Sequence, residues 1–262
     1  MFSWRARRQL IVIGIAILFF GGIGAFAVFR ALPAPTCSDN KKNQRELEID
    51  CGGPCGPCEL TRPKPLTVFW ARAAGIRENN YDVAARIKNE NEIIGAPETT
   101  YEFTLFDALG PVARKTGTAF VLPQEEFMLV ETNLETTRRP VRVELRILAI
   151  RWDIRKETIP GLIVEKRDYE VREENGKKRS AVAARIFNGS LYDLGKIEVV
   201  TAVFDPAGNL IGVNKIVAED VAASSRREIQ SLWPEELKGD VATIEVTARV
   251  NVFDPDVILK PQ

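Results

Sequence analysis

The chain has 262 residues, of which 45% are hydrophobic and 27% are charged, a balance typical of globular protein and not of a disordered tail. Its 36 basic and 36 acidic residues cancel, which argues against an electrostatic nucleic-acid surface. Histidine is absent, so Ser-His and Cys-His catalytic arrangements and histidine metal ligands are excluded.

The N-terminus has the pattern of a membrane anchor. Residues 1–9 contain arginines and no acid, and residues 10–29 are uncharged and mostly apolar. About 20 such residues span the hydrocarbon core of a bilayer as a helix. Because basic residues are more frequent before this segment than after it, we predict a cytoplasmic N-terminus. The rest of the chain is then predicted to lie outside the plasma membrane as a single-pass protein.

A cleaved signal peptide is the alternative, since Ala25-Phe26-Ala27 has the small-x-small spacing of a cleavage site. The apolar run continues through Val28 and Phe29, which is longer than a usual signal core and favours an uncleaved anchor. Residues 30–36 contain two prolines and predict a short, stiff stalk.

All the cysteines lie between residues 37 and 58, at Cys37, Cys51, Cys55 and Cys58. An even number outside the membrane predicts two disulfides, with three pairings open. Cys55-Gly56-Pro57-Cys58 also has the spacing of a thioredoxin-like dithiol, but the flanking prolines and glycines do not predict the required strand and helix. A four-cysteine zinc site is a further alternative, disfavoured because the spacing lacks two matched Cys-x-x-Cys pairs.

Oxygen-bearing side chains lie between these cysteines at close spacing: Asp39, Asn43, Glu46 and Asp50. Hard oxygen ligands of this kind suit calcium, so the segment is a candidate calcium site. The alternative is a solvated loop in which Asp and Asn form turns. Lysines and an arginine within the same loop would oppose a cation.

Residues 37–58 resemble a short cysteine-rich module of exported bacterial proteins, with the pattern C-x-D-G-x-x-N-x-x-E-x-x-x-D-C-G-G-x-C-x-x-C. All four cysteines match, as do the four candidate calcium ligands and the glycine pair Gly52-Gly53. Asn40 replaces a glycine of the pattern, and asparagine tolerates a positive φ. The resemblance implies an extracytoplasmic address.

The remainder of the chain contains an internal repeat. The sequence Val-Ala-Ala-Arg-Ile-x-Asn begins at Val83 and again at Val182, a spacing of 99 residues. An aromatic-aspartate turn with glycine follows each copy, at residues 106–110 and 204–208. A repeat of one small-domain length predicts two tandem domains of the same fold.

Strand patterns dominate both repeats. Residues 141–147 and 242–252 alternate apolar and polar residues, as half-buried strands do, whereas residues 196–204 are apolar on nearly both faces. Six or seven short strands per repeat predict immunoglobulin-like β-sandwiches at residues 66–155 and 166–262. Residues 156–165 are the predicted link, and its apolar residues favour packing between the domains. Residues 233–237 are predicted to form one helical turn.

The second repeat resembles the bacterial FxLYD-type immunoglobulin-like domain, whose usual run is F-x-N-x-S-x-x-x-L followed by F/Y-D-x-x-G-x-x-I-G. The match comprises residues 186–194, the strand at 199–204, and Asp205, Gly208, Ile211 and Gly212. The first repeat keeps Asn89 and Phe106-Asp107 but not the Ser-x-Tyr-Asp part. The resemblance implies an extracellular spacer or interaction module without shared catalytic residues.

Polar residues of this motif have structural interpretations. Asn188 and Ser190 can bond nearby main chain, Tyr192 can cover the end of the sandwich with its hydroxyl bonded to main chain, and Asp205 with Gly208 suits a hairpin turn. A ligand site at Tyr192 and Asp193 is the alternative.

We therefore predict a mainly β protein: one N-terminal transmembrane helix, a small disulfide-rich segment and two tandem immunoglobulin-like β-sandwiches. The predicted function is non-enzymatic, with the sandwiches acting as a structural or protein-interaction module of the cell envelope. Its partners would be the membrane, through residues 10–29, and an envelope protein or surface polymer, with no nucleic acid and no cofactor. One alternative is a calcium-responsive sensor, and another is an extracytoplasmic enzyme using Cys55 and Cys58 or Asp153 and Glu157.

Overall fold

The computed structural model describes residues 4–31, 36–154 and 161–259, and the fold is mainly β. Two helices precede the strands: α1 at Trp4–Ala31 and α2 at Cys58–Thr61. Residues 1–58 and residues 59–262 form separate compact units, and all fourteen strands of the described residues lie in the second. The first seven strands are β1 (Thr67–Arg77), β2 (Asn80–Lys88), β3 (Ile94–Asp107), β4 (Gly110–Val121), β5 (Glu126–Glu135), β6 (Arg142–Ile150) and β7 (Asp153–Ile154). The next seven are β8 (Leu162–Glu174), β9 (Lys177–Asn188), β10 (Asp193–Phe204), β11 (Leu210–Val221), β12 (Arg226–Leu232), β13 (Thr243–Arg249) and β14 (Ile258–Leu259).

Helix α1 is uncharged over most of its length and leaves apolar side chains exposed, among them Leu18 and Phe20. Within residues 4–31, 36–154 and 161–259, no helix combines the length and the apolar character needed to cross a membrane. The transmembrane helix predicted at residues 10–29 is therefore not found. Parts of the predicted cytoplasmic end and of the stalk, residues 1–3 and 32–35, lie outside the described residues.

The internal repeat appears as a repeated topology. In the first copy β2 pairs with β1 and β5, while β3 pairs with β4, β6 and the short β7. In the second copy β9 pairs with β8 and β12, while β10 pairs with β11, β13 and the short β14. All these pairings are antiparallel, so each copy has two facing sheets joined by the same order of connections. The mainly β class is confirmed, and the antiparallel sheets of each copy are consistent with the predicted β-sandwiches, whereas their immunoglobulin-like character stays a prediction.

Two local predictions are wrong. Strand β8 begins at Leu162, so residues 162–165 of the predicted link belong to the second sandwich. Leu162 and Val164 pack against the core and Ile163 is exposed, as in a strand with one buried face, whereas residues 155–160 of the link lie outside the described residues. Residues 233–237 form bends and no helical turn, because Trp233 and Leu237 are buried in the core and hold the main chain there.

The two sandwiches pack face to face and share one core. Residues from the first copy, Ala74, Ala84 and Val130, pack with the core of the second copy. The sheet β1-β2-β5 therefore lies between the outer sheet of its own sandwich and the sheet β11-β10-β13. Four sheets are stacked in this way, with the two inner sheets covered on both faces.

Double-sided burial explains the sequence of the inner strands. In β10, Val199 and Val203 belong to the face of its own sandwich core, and Val200 and Ala202 belong to the opposite face. A strand covered on both faces needs apolar residues at consecutive positions, which confirms the prediction for residues 196–204. Strand β13 differs from its prediction, because the first sandwich covers part of its polar face and buries Arg249.

Candidate functional site

The cysteine segment is closed by two disulfides. Cys37 is bonded to Cys55, and Cys51 is bonded to Cys58. Of the three pairings that the sequence left open, the structure therefore has the one in which the first cysteine pairs with the third and the second with the fourth. No cysteine is free. The dithiol interpretation is therefore wrong, because Cys55 and Cys58 belong to different disulfides and neither offers a thiolate. Zinc bound by four thiolates is excluded for the same reason.

The candidate calcium ligands are close together but act mainly as hydrogen-bond acceptors for the main chain. The Asp50 carboxylate accepts from the N–H groups of Asp39 and Asn40 at 2.9–3.1 Å. The Asp39 carboxylate accepts from the side-chain amide of Asn43 at 2.7 Å, which lowers the pKa of Asp39. Buried Glu46 accepts from the Asn43 N–H at 3.1 Å. These bonds match the turn-forming alternative, and calcium binding at Asp39, Asn43, Glu46 and Asp50 stays a prediction.

Backbone conformation accounts for the glycines and the one departure in this segment. Gly52 and Gly53 have φ of +78° and +61°, and a Cβ on Gly53 would lie 2.5 Å from the Arg45 carbonyl oxygen. No larger residue fits there. Asn40 adopts φ of +58°, as expected for an asparagine that replaces a glycine.

Asn188 closes the end of the second sandwich and is fully buried. Its amide nitrogen donates to the main-chain carbonyls of Tyr192, Val221 and Ala222 at 2.8–3.2 Å. Its amide oxygen accepts from the main-chain N–H and the hydroxyl of Ser190. Because the amide of Asn188 is buried and hydrogen-bonded on both its nitrogen and its oxygen, the role of this residue is structural.

Asn89 forms the equivalent hydrogen bonds at the end of the first sandwich. It is fully buried, and its amide nitrogen donates to the carbonyls of Ile94 and Leu122, each at 2.9 Å. Its amide oxygen accepts from Asn91, which replaces Ser190 in this role. The repeated asparagine is thus a structural clamp at the same point of both copies.

The proposed ligand pair next to this clamp is engaged differently from the prediction. The Asp193 carboxylate accepts from the Ala223 N–H at 2.7 Å and so holds a loop. Tyr192 is exposed, and its main-chain carbonyl, not its hydroxyl, is the group bonded to the clamp. Of the candidate acid pair Asp153 and Glu157, Asp153 is on β7 and Glu157 lies outside the described residues.

Arg249 is the main polar residue that sequence reasoning missed, and its side chain is only 4% exposed. Its guanidinium bonds both carboxylate oxygens of Glu125 at 2.7 and 2.9 Å, the Phe120 carbonyl at 2.9 Å and Glu198 at 3.0 Å. It also lies over the rings of Phe127 and Phe120, 3.8 and 4.2 Å from their centroids. Because Glu125, Phe120 and Phe127 belong to the first sandwich, this cluster joins the two sandwiches.

Further contacts between the sandwiches surround this cluster. Arg86, from the repeated motif, forms an ion pair with Glu245 of β13. The rings of Trp70 and Phe204 meet edge to face with centroids 6.2 Å apart. The guanidinium of Arg72 donates to the Gly208 carbonyl. The sequence of β13 shows that Glu245 and Arg249 are polar. Their role as interface residues is visible only in the structure, where the first sandwich covers this face of the strand.

A groove with a basic lining opens where the two sandwiches meet; we call it the basic groove. Its volume is about 630 Å³, and its basic residues are Arg77 on β1, Arg139 before β6 and Lys238 before β13. A neighbouring cavity of about 440 Å³ shares Ala73, Pro140 and Leu210 with it. The sequence does not predict this groove, because its lining residues are distant from one another in the chain.

Several basic residues of the β8–β9 hairpin are paired with acids of the same hairpin. Lys166 pairs with Asp168, Arg172 with Glu170 and Arg179 with Glu174. These exposed pairs neutralise much of the positive charge of the hairpin.

Comparison with known proteins does not place the chain in a family. No family model matches it, and no curated protein matches it. One solved structure with similarity to it is the crystal structure of red sea bream transglutaminase, with 16% sequence identity and a TM-score of 0.24. The alignment covers 72% of this chain and 31% of that one, so the chain spans about a third of its length.

Proposed function

We propose that this chain is a non-enzymatic protein of the bacterial cell envelope that presents two joined immunoglobulin-like sandwiches as an interaction module. The observation that carries the proposal is the covered interface around Arg249, which holds two repeated sandwiches in one arrangement. A fixed pair of sandwiches offers a binding surface that neither sandwich has alone, and such surfaces suit assembly or adhesion.

The engagement of the polar residues supports this proposal. Asn188, Asp193 and Asp205 all hold loops or turns at the ends of strands. Hydrogen bonds from the side chain and the main chain of Asn209 lower the pKa of Asp205. Such bonds to the carboxylate are usual for an aspartate in a turn. The hydrogen bonds that each of these residues forms account for its presence in the motif.

The extracytoplasmic address rests on two observations. The disulfide-bonded segment requires an oxidising compartment to form. The exposed apolar side chains of α1 suit contact with lipid, and we propose that residues 10–29 attach the chain to the plasma membrane with the sandwiches outside.

The test is cross-linking of the full chain in living cells of its source, followed by mass spectrometric identification of the linked molecules. We expect cross-links between surface lysines of residues 59–262 and an envelope protein or polymer. Arg249→Ala should reduce these links, because it separates the sandwiches, while Arg185→Ala on the outer face of β9 should not. Cross-links confined to cytoplasmic proteins would overturn the proposal.

A further inference from the structure

We propose that the basic groove binds an acidic peptide segment of a partner protein, which adds as a strand along the free edge of β1. This inference rests on the proposed function, since it names the surface and the class of partner for the interaction module. Three observations carry it: an open sheet edge, small residues along that edge, and unpaired cations around it.

The edge of β1 is open to a further strand. β1 pairs with β2 on one side, and within the described residues no strand pairs with its other side. Its register with β2 is regular from Trp70 to Gly75, between two irregularities. A regular edge strand has main-chain N–H and C=O groups ready to pair with an extended peptide.

Small side chains line the same stretch. Ala71 and Ala73 line the smaller cavity, and Ala73 and Gly75 line the basic groove. Because none of these residues extends beyond a methyl group, a second backbone can approach β1 closely. The six regular residues correspond to about 20 Å of extended chain, which is the length of a peptide of about six residues.

The cations determine the charge of the occupant. Arg77, Arg139 and Lys238 are exposed, and within the described part of the chain they form no salt bridge or hydrogen bond. Glu78 is the acid of the groove lining. Arg72 and Arg142 of the neighbouring cavity are engaged by the Gly208 carbonyl and by Glu144, so they contribute less to attraction.

Edge protection alone does not account for this arrangement. A charge on an edge strand often prevents pairing with any other strand. Here, however, cations from both sandwiches converge on one groove. Exposed arginines elsewhere either pair with acids of their own sheet, as Arg179 and Arg185 do, or stand on a strand surface outside this groove, as Arg167 does. Unpaired cations on three segments favour an acidic strand over a neutral or basic one.

The test is fluorescence anisotropy with the full chain in detergent micelles. The probe is a fluorescein-labelled six-residue peptide of alternating Glu and Val, which places its acids on one face of an extended strand. We expect saturable binding that the triple variant Arg77→Ala/Arg139→Ala/Lys238→Ala weakens at least tenfold. Arg167→Ala, which removes a similarly exposed arginine on β8, is the matched control and should change the Kd less than twofold.

Main-chain pairing is tested separately from charge. A peptide of equal charge with proline at two of the Val positions cannot donate the needed N–H groups, so it should bind at least tenfold more weakly. Equal binding of the proline peptide, or equal binding by the triple variant, would overturn the inference. Displacement of the probe by polygalacturonate without any preference for the peptide would likewise overturn it in favour of an acidic polymer.

Two further measurements distinguish loss of binding from misfolding of the triple variant, and failure of the groove proposal from failure of the proposed function. If the triple variant does not fold by circular dichroism, the single charge reversal Lys238→Glu on an exposed loop replaces it, with the same expected loss of binding. If the triple variant still cross-links to envelope components in cells, the groove proposal fails and the proposed function stands. Loss of the cross-links in this variant supports both.

Discussion

Asn188 shows how one buried side chain can close the end of a sandwich. The two N–H groups of its amide are shared among the main-chain carbonyls of Tyr192, Val221 and Ala222. Buried carbonyls without a donor are costly, so the asparagine removes several penalties at once. Its role was correctly inferred from the motif because the hydrogen bonds are local in sequence on one side of the turn.

We expect Asn188→Ala to lower the free energy of unfolding by about 2 to 4 kcal/mol, because it leaves buried carbonyls without a donor. Ser190→Ala removes a hydroxyl at the same turn but none of the three donations, so about 1 kcal/mol is expected. Urea denaturation of both variants is the measurement. An equal effect of the two substitutions would contradict the clamp role.

Asp82 is a buried acid whose titration affects stability. Burial raises its pKa to about 6, although its carboxylate accepts from the Asn133 N–H at 2.8 Å. Because the folded pKa lies above the unfolded value of 3.8, the folded state binds more protons between these two pH values. This residue therefore makes the protein more stable as the pH falls from about 6 towards 4.

The corresponding prediction concerns Asp82→Asn. At pH 7.5 the variant should be more stable than the parent, on the order of 2 to 3 kcal/mol, since the charged form is no longer buried. The difference should vanish near pH 4, where the aspartate is protonated in the folded state. Thermal denaturation between pH 4 and 8 measures it. A Tm difference that does not change with pH would show that Asp82 is not the titrating group.

At the scale of elements, β13 combines two roles on its two faces. Ile244, Val246 and Ala248 pack in the core of the second sandwich, while Glu245 and Arg249 bond the first sandwich. The alternation of apolar and polar residues in β13 was predicted from the sequence, because the periodicity of a strand depends only on consecutive residues. The sequence did not predict that the first sandwich covers the polar face, because the covering residues Arg86 and Glu125 lie more than a hundred positions earlier.

Arg249→Ala is expected to destabilise the protein by about 2 to 4 kcal/mol, since Glu125 and Glu198 would remain partly buried without their cation. Arg185→Ala, which breaks the exposed pair with Glu228 on β9, is the control and should have a small effect. Differential scanning calorimetry should also show two separate transitions in Arg249→Ala, one for each sandwich. A single unshifted transition would mean that this cluster does not hold the interface.

At the scale of the whole molecule, the chain consists of two compact units with different sources of stability. The unit of residues 59–262 has an extensive apolar core, whereas the cysteine segment has few buried apolar residues. Crosslinks therefore hold the shape of that segment. The Cys37–Cys55 bond, which encloses 18 positions, contributes on the order of 3 kcal/mol to its stability by the chain-entropy estimate.

The pairing gives a prediction for cysteine variants of the full chain. Cys51→Ser/Cys58→Ser removes a matched pair and should leave no free thiol, because Cys37 and Cys55 still bond. Cys37→Ser/Cys58→Ser removes one member of each disulfide and should leave two free thiols. Thiol titration under denaturing conditions after purification without reductant distinguishes the two. Two free thiols in the first variant would contradict the pairing.

The sequence by itself determined the features that depend on neighbouring residues: the mainly β class, the internal repeat, the turn at Asp205 and the presence of disulfides. Strand periodicity, turn chemistry and cysteine number are all encoded locally. Only the tertiary structure decided the disulfide pairing, the burial of Arg249 and the convergence of Arg77, Arg139 and Lys238 on one groove. These features join residues from distant parts of the chain, and their contacts exist only once two similar sandwiches pack face to face and bury polar side chains between them.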